Sequence, residues 1–170
     1  MKAALEKKLY KKYPKIFADR NKSPQETCMC WGIETGDGWY DLIHMLCDLI
    51  HWDIEQNGYP ELEAVQVKEK FGLMRFYTTG VHKEEKTFKE RMRGRLYNFL
   101  RRMMYRWCKE AYQANEGYHV QEGMIKFAEF LSGHVCERCG SNQKVTQTKG
   151  WICTLCPKCL VAYKKKRGLK

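Results

Sequence analysis

Apolar residues recur at helical spacing in four stretches of the chain and alternate at strand spacing in one. Over 2–12, Leu5 and Leu9 share one side of a basic segment that Tyr13-Pro14 ends, which predicts a short surface helix. Ser23-Pro24-Gln25-Glu26 has the composition of a capping box and predicts a brief helical turn ahead of Cys28-Met29-Cys30-Trp31. Leu42, Ile43, Leu46, Leu49, Ile50 and Ile54 form one face of a helix over 38–56, with Asp37 as its cap and Asn57-Gly58 and Pro60 as its stop. Between 65 and 77 the period is two. A hairpin about Phe71-Gly72 puts Val65, Val67, Met74 and Phe76 on one face and Gln66, Lys68, Lys70, Arg75 and Tyr77 on the other. The longest predicted helix, 84–114, carries Met92, Leu96, Phe99, Leu100, Met103, Trp107 and Ala111 on an apolar arc. After Asn115-Glu116-Gly117 a further helix over 119–132 turns Val120, Met124, Phe127, Ala128 and Leu131 inward.

Beyond residue 132 the periodicity stops and cysteines take over. Cys136-Glu137-Arg138-Cys139 and Cys156-Pro157-Lys158-Cys159 are two CxxC pairs separated by sixteen residues, the spacing with which four thiolates close a tetrahedron around one structural Zn²⁺. Gly140 suits the turn of a knuckle. Residues 144–148 and 151–155 read as two short strands about Lys149-Gly150, and Pro157 opens a helix through Leu160, Val161 and Tyr163. Cys153 and His134 are alternative ligands. The predicted fold is α+β, a mainly helical body with a β-hairpin over 1–132 and a treble-clef or zinc-ribbon-like finger with a basic tail over 133–170.

Charge changes the picture more than composition does. The net charge is +11, yet the segment 23–64 contains no Lys or Arg and nine carboxylates, Glu26, Glu34, Asp37, Asp41, Asp48, Asp53, Glu55, Glu61 and Glu63. The positive excess therefore lies elsewhere, where it can attract an anion, while the acidic segment braces the protein or engages a basic partner. Nine cysteines with metal-type spacing, an odd count and no apolar leader predict reduced thiols in a cytosol, and no stretch is apolar enough to span a membrane.

On the predicted helix 84–114, Arg91, Arg95, Arg102, Arg106 and Lys109 fall within about 60° of one another and form a basic rail about 27 Å long, enough for several phosphates. Lys68, Lys70 and Arg75 extend the cationic set, with Tyr77 placed for stacking. Lys68 or Gln66 faces Arg75 across the hairpin, an arrangement that needs an anion, a carboxylate or solvent to relieve it. The same rail also fits an ordinary wet helix face, and Lys164-Lys165-Lys166-Arg167 and Lys170 complement a helix dipole as readily as a phosphate. Catalysis has no such footing. A treble-clef nuclease needs a His base and metal-gripping side chains, but residues 140–155 and the helix after Cys159 contain no His, Asp or Glu. Cys28, Cys30, His44, Cys47 and His51 compete between a second metal site and packed core residues, and the core reading is preferred.

Five motifs carry a resemblance. Cys28-Met29-Cys30-Trp31-Gly32, Gly36-Asp37-Gly38-Trp39-Tyr40-Asp41-Leu42-Ile43, the string from Val67 to Tyr77, Gly123-Met124-Ile125 and Cys136-Glu137-Arg138-Cys139-Gly140 together resemble a group of small proteins encoded by tailed phages and prophages. The likeness covers roughly 27–160. It implies the cytoplasm of a bacterial host and an accessory role, with countering host defence as a natural purpose, and it carries over no functional residues. The expectation is a non-enzymatic, zinc-stabilised protein that binds a phosphate-rich partner, nucleic acid first. The alternatives are sequestration of a nucleotide second messenger, with Trp31, Trp39 and Tyr77 stacking its base, and inhibition of a host defence protein through the acidic surface.

Overall fold

The computed structural model describes residues 1–79 and 109–168, with side chains described from Gly117 onward in the second part. Four α-helices lie among these residues: α1 (Ala3–Lys12), α2 (Tyr40–Asn57), α3 (Lys109–Ser132) and α4 (Pro157–Arg167). The strands β1 (Ile33–Glu34), β2 (Ala64–Lys70) and β3 (Leu73–Thr78) form a mixed sheet in that order, β1 parallel and β3 antiparallel to β2. A second, two-stranded sheet pairs β4 (Thr146–Gln147) with β5 (Thr154–Leu155). No described helix is long and apolar enough to cross a membrane.

One core joins α1, α2, the three-stranded sheet and α3. Leu9, Phe17, Met29, Ile33, Trp39, Ile43, Ile50, Leu62, Val67 and Met74 are among its most deeply buried members. Removing this much apolar surface from water supplies the main stabilisation of the body.

Both edges of the three-stranded sheet are closed by helix side chains. At one edge the Ile33 amide donates to Glu6 Oε1 of α1 (2.7 Å). At the other, the Met74 amide donates to Ser132 Oγ (2.8 Å) and the Phe76 amide to Glu129 Oε1 (2.9 Å), both on α3. Unpaired strand amides would otherwise invite edge-to-edge association.

Several sequence expectations change in detail. The helix expected from Gly38 begins at Tyr40, after a 3₁₀ turn at Asp37–Trp39, and Asp37 does not cap it. Its carboxylate instead accepts from the Lys2 amide (2.8 Å) and pairs with Lys2 Nζ (3.0 Å), tying α1 to the start of α2. Only half of the capping box forms, and around a turn: the Ser23 amide donates to Glu26 Oε2 (3.2 Å), but the Ser23 hydroxyl also donates to that carboxylate (2.7 Å) and the Glu26 amide donates to Ser23 O (3.0 Å). Along α2, Cys47 and Asp53 are buried and Leu49 is exposed. A bulge between Ala64 and Gln66 puts Ala64, rather than Val65, in the core.

The largest change is α3. No break occurs at Asn115-Glu116-Gly117; the helix runs through, and Gly117 lies so close to the loop before β2 that a methyl there would come within 2.7 Å of the Tyr59 ring. Its buried face is Gly117, Gln121, Ile125, Ala128 and Ser132, while Phe127 is exposed and Val120, Met124 and Leu131 are only partly covered. The reason is that α3 packs against backbone polar groups. Gln121 Nε2 donates to Pro60 O (2.9 Å), and Ser132 and Glu129 serve β3, so polar side chains occupy inward positions. Of the helix predicted over 84–114, all but its end lies outside the described residues.

Candidate metal centre

The four cysteines of the two CxxC pairs converge. The Sγ atoms of Cys136, Cys139, Cys156 and Cys159 all lie within 4.8 Å of one another, and those of Cys139 and Cys156 are 3.6 Å apart. A tetrahedron of sulfurs about 2.3 Å from a central ion has edges of about 3.8 Å, so this set can hold one metal ion. Local structure explains the convergence. The knuckle 136–140 is closed by the Gly140 amide donating to Cys136 O (2.9 Å), with Gly140 in the left-handed region (φ 76°). The β4–β5 hairpin returns the chain to Cys156, the N-cap of α4, and Pro157 starts that helix so that Cys159 follows in its first turn. Knuckle, hairpin and helix follow in treble-clef order.

Electrostatics favours a cation at the centre. The Cys159 amide, together with the neighbouring thiols, draws the Cys156 thiol down to about 7, whereas burial and those same neighbours push Cys159 well up. Four crowded thiols resist ionising together, and a bound divalent ion removes that conflict. Neither alternative ligand joins the cluster. Cys153 is buried beside Glu137, its thiol raised to about 11 by burial first and that carboxylate second, and His134 packs against Phe130 with centroids 5.1 Å apart.

The finger is seated on the body through Gly36-Asp37-Gly38-Trp39. The Gly38 amide donates to Glu137 O (2.9 Å), and Trp39, fully buried, donates from Nε1 to Val135 O (2.9 Å). A methyl at Gly36 would overlap the carbonyl oxygen of Glu137, and one at Gly38 that of Cys136. On the far side, Thr154 Oγ1 donates to Gly72 O at the β2–β3 turn, and a methyl at Gly72 would come within 2.8 Å of Ile152. The glycines of two separate motifs are thus explained by close approach of the knuckle and the finger hairpin.

The remaining predicted residues are placed as follows. Lys68 lies opposite Arg75, as expected, and next to Glu34 of β1. The like charges are relieved by α3, where Glu129 takes Arg75 at 3.0 Å, so the Arg75 charge is already matched. Lys68 Nζ lies 5.6 Å from the centre of the Tyr77 ring, and Lys70 Nζ 5.5 Å from that of Phe71. Arg91, Arg95, Arg102 and Arg106 lie outside the described residues, and Lys109 is the first described residue of α3. Trp31, Trp39 and Tyr77 do not converge on one pocket. Trp39 is in the core, Trp31 lines a cleft of about 330 Å³ with Tyr10 and Arg20, and Tyr77 lines another of about 360 Å³ with Cys28 and Gln66.

Among the other thiols and imidazoles, Cys47 is fully buried, which pushes its thiol far up, and Cys30 Sγ donates to Thr27 O (3.2 Å). His44 lies 3.3 Å from Asp48 and edge-on to Tyr13. Among the exposed aromatics that escape the sequence pattern, which include Trp52 and Phe130 on helices, Phe71 and Trp151 stand at the turns of the two hairpins. The available signal was a lysine directly before one and two residues before the other, in turns where Asn or Gly is the usual choice. The chain matches no protein-family model, no curated protein and no solved structure.

Proposed function

We propose that the four-cysteine centre holds a single structural Zn²⁺ and that the protein is a non-enzymatic accessory protein whose finger binds a phosphate-rich partner, nucleic acid first. One observation carries this reading. Arg138, Lys144, Lys149, Lys158, Lys164, Lys165, Lys166 and Arg167 are all exposed, and none makes an ion pair among the described residues. The single carboxylate of the finger, Glu137, is half-buried and accepts from the Thr154 amide (3.4 Å), and burial raises its pKa above the usual range. A surface of one sign seeks a polyanion, and releasing condensed counterions supplies the affinity. Zinc supports it as a closed S₄ site that folds the finger and leaves no coordination position for chemistry.

The resemblance to small tailed-phage proteins supports an accessory role in a bacterial host, with countering host defence as the purpose. The acidic segment offers less to a basic enzyme than its composition promises, because Asp37, Asp48, Glu61 and Glu63 face Lys2, Lys12, Lys15 and Lys22. Nucleotide sequestration loses the three-aromatic pocket it needs. The test is fluorescence anisotropy with labelled oligonucleotides at about 50 and about 200 mM salt, comparing the wild type with a variant in which Lys144, Lys158 and Lys165 become Glu. Binding that weakens steeply with salt and is lost in the variant supports the proposal; binding indifferent to both contradicts it.

A further inference from the structure

We infer that the adjoining tips of the two hairpins form a stacking platform that selects single-stranded over duplex nucleic acid, with Phe71 and Trp151 as the stacking rings and Lys70 and Lys149 as the phosphate contacts. The inference rests on the nucleic-acid reading and names the form of the ligand. Four observations converge on it.

The tips are neighbours. Thr154 bonds the carbonyl of Gly72, and Ile152 packs where a Gly72 side chain would stand, so the β2–β3 turn and the turn before β5 share one end of the molecule. Their rings face solvent: Phe71 is 67% and Trp151 64% exposed, in a protein whose Trp39 and Phe17 are fully buried. Cations accompany them, with Lys70 beside the Phe71 ring and Lys149 two residues before Trp151. The carboxylates behind the tips are committed elsewhere, Glu69 to the Gly72 amide (2.5 Å) and Glu137 to the Thr154 amide.

The backbone at both tips is held in advance. Trp151 O accepts from Thr148 Oγ1 (2.6 Å), which also accepts from the Cys153 amide (2.8 Å), so the turn is pinned while the indole stays out. At the other tip Phe71 has φ 55° and Gly72 φ 72°. Two successive positive φ values are the geometry of a two-residue hairpin turn that ordinarily takes Asn-Gly. A phenylalanine there is strained, because its Cβ crowds the backbone carbonyl in the left-handed region. Stability alone would not select it, and strain of this kind concentrates at functional positions. Exposed rings interleaved with lysines are what unstacked bases and their phosphates require, since every base offers a π-face once it leaves a duplex.

The experiment compares fluorescein-labelled oligo(dT) and oligo(U) with a blunt duplex of equal length at fixed salt, for the wild type, Phe71→Ala, Trp151→Ala and Trp151→Phe. The platform predicts tighter binding of the single strands, a loss of about tenfold in each alanine variant and recovery in Trp151→Phe, with duplex binding unchanged. Binding that is equal for strand and duplex, and equal in all four proteins, overturns the platform and leaves the nucleic-acid reading standing. No binding to any probe at low salt overturns both. Both side chains are exposed, and matching thermal melts confirm that the variants fold.

Discussion

The acidic segment and the finger carry opposite charge and use it in opposite ways. In 23–64, four of the nine carboxylates are matched internally: Asp37 with Lys2, Asp48 with Lys12, Glu61 with Lys15, and Glu63 within reach of Lys22. The eight described Lys and Arg side chains of the finger have no such partners among the described residues. A segment's formal charge is therefore a poor guide to what its surface offers. The acidic segment is the one whose charges stitch the N-terminal residues to α2 and to the loop before β2. The two regions also differ in what holds them. The body has a broad apolar core, whereas the buried apolar cluster of the finger consists of Leu155 and Tyr163 with Cys136, Cys153 and Cys156. A unit that small depends on its cross-link.

The sharpest way to break the comparison is to remove the metal ion that the four clustered cysteines can hold. Structural zinc supplies on the order of 10 kcal/mol of apparent binding free energy, so chelation or Cys136→Ser with Cys139→Ser is expected to strip hydrogen-exchange protection from 136–168 while α1 and α2 retain theirs. Trp39→Ala comes next. It removes a fully buried indole and its bond to Val135, and it should cost about 3–5 kcal/mol in urea denaturation. Glu129→Ala leaves the Phe76 amide and Arg75 unmatched and should cost about 2–3 kcal/mol, with Glu129→Gln recovering part because its side-chain oxygen still accepts from Phe76. The smallest effect on stability is expected from Lys12→Glu and Lys158→Glu, since exposed charges contribute little to folding. These two separate the regions by function: only Lys158→Glu should weaken oligonucleotide binding.

How much was legible in the sequence follows the same divide. The clustering of the four cysteines, the order of knuckle, hairpin and helix, and the Phe71-Gly72 turn could all be read, because each is fixed by local spacing and by residues with one chemical purpose. α3 could not. Its inward face mixes Gln121 and Ser132 with Ile125 and Ala128, and a polar face turned toward backbone donors and acceptors leaves no hydrophobic period. Gly117 looks like a break in sequence, yet it is a close-packing residue. Asp37 looks like a cap because capping is local, but the contact that wins lies 35 residues away at Lys2. The seating of the knuckle on Gly36 and Gly38 is of the same kind. Both motifs are visible in the sequence, but only the fold shows that they touch.

The most direct test of the central claim is a ¹H–¹⁵N correlation titration of the zinc-loaded protein with an unlabelled oligonucleotide. Shifts concentrated on 138–167 and on the Phe71-Gly72 turn, with α2 unmoved, are the predicted result. Shifts confined to α2 and its acidic neighbours, or none at saturating oligonucleotide, would contradict it.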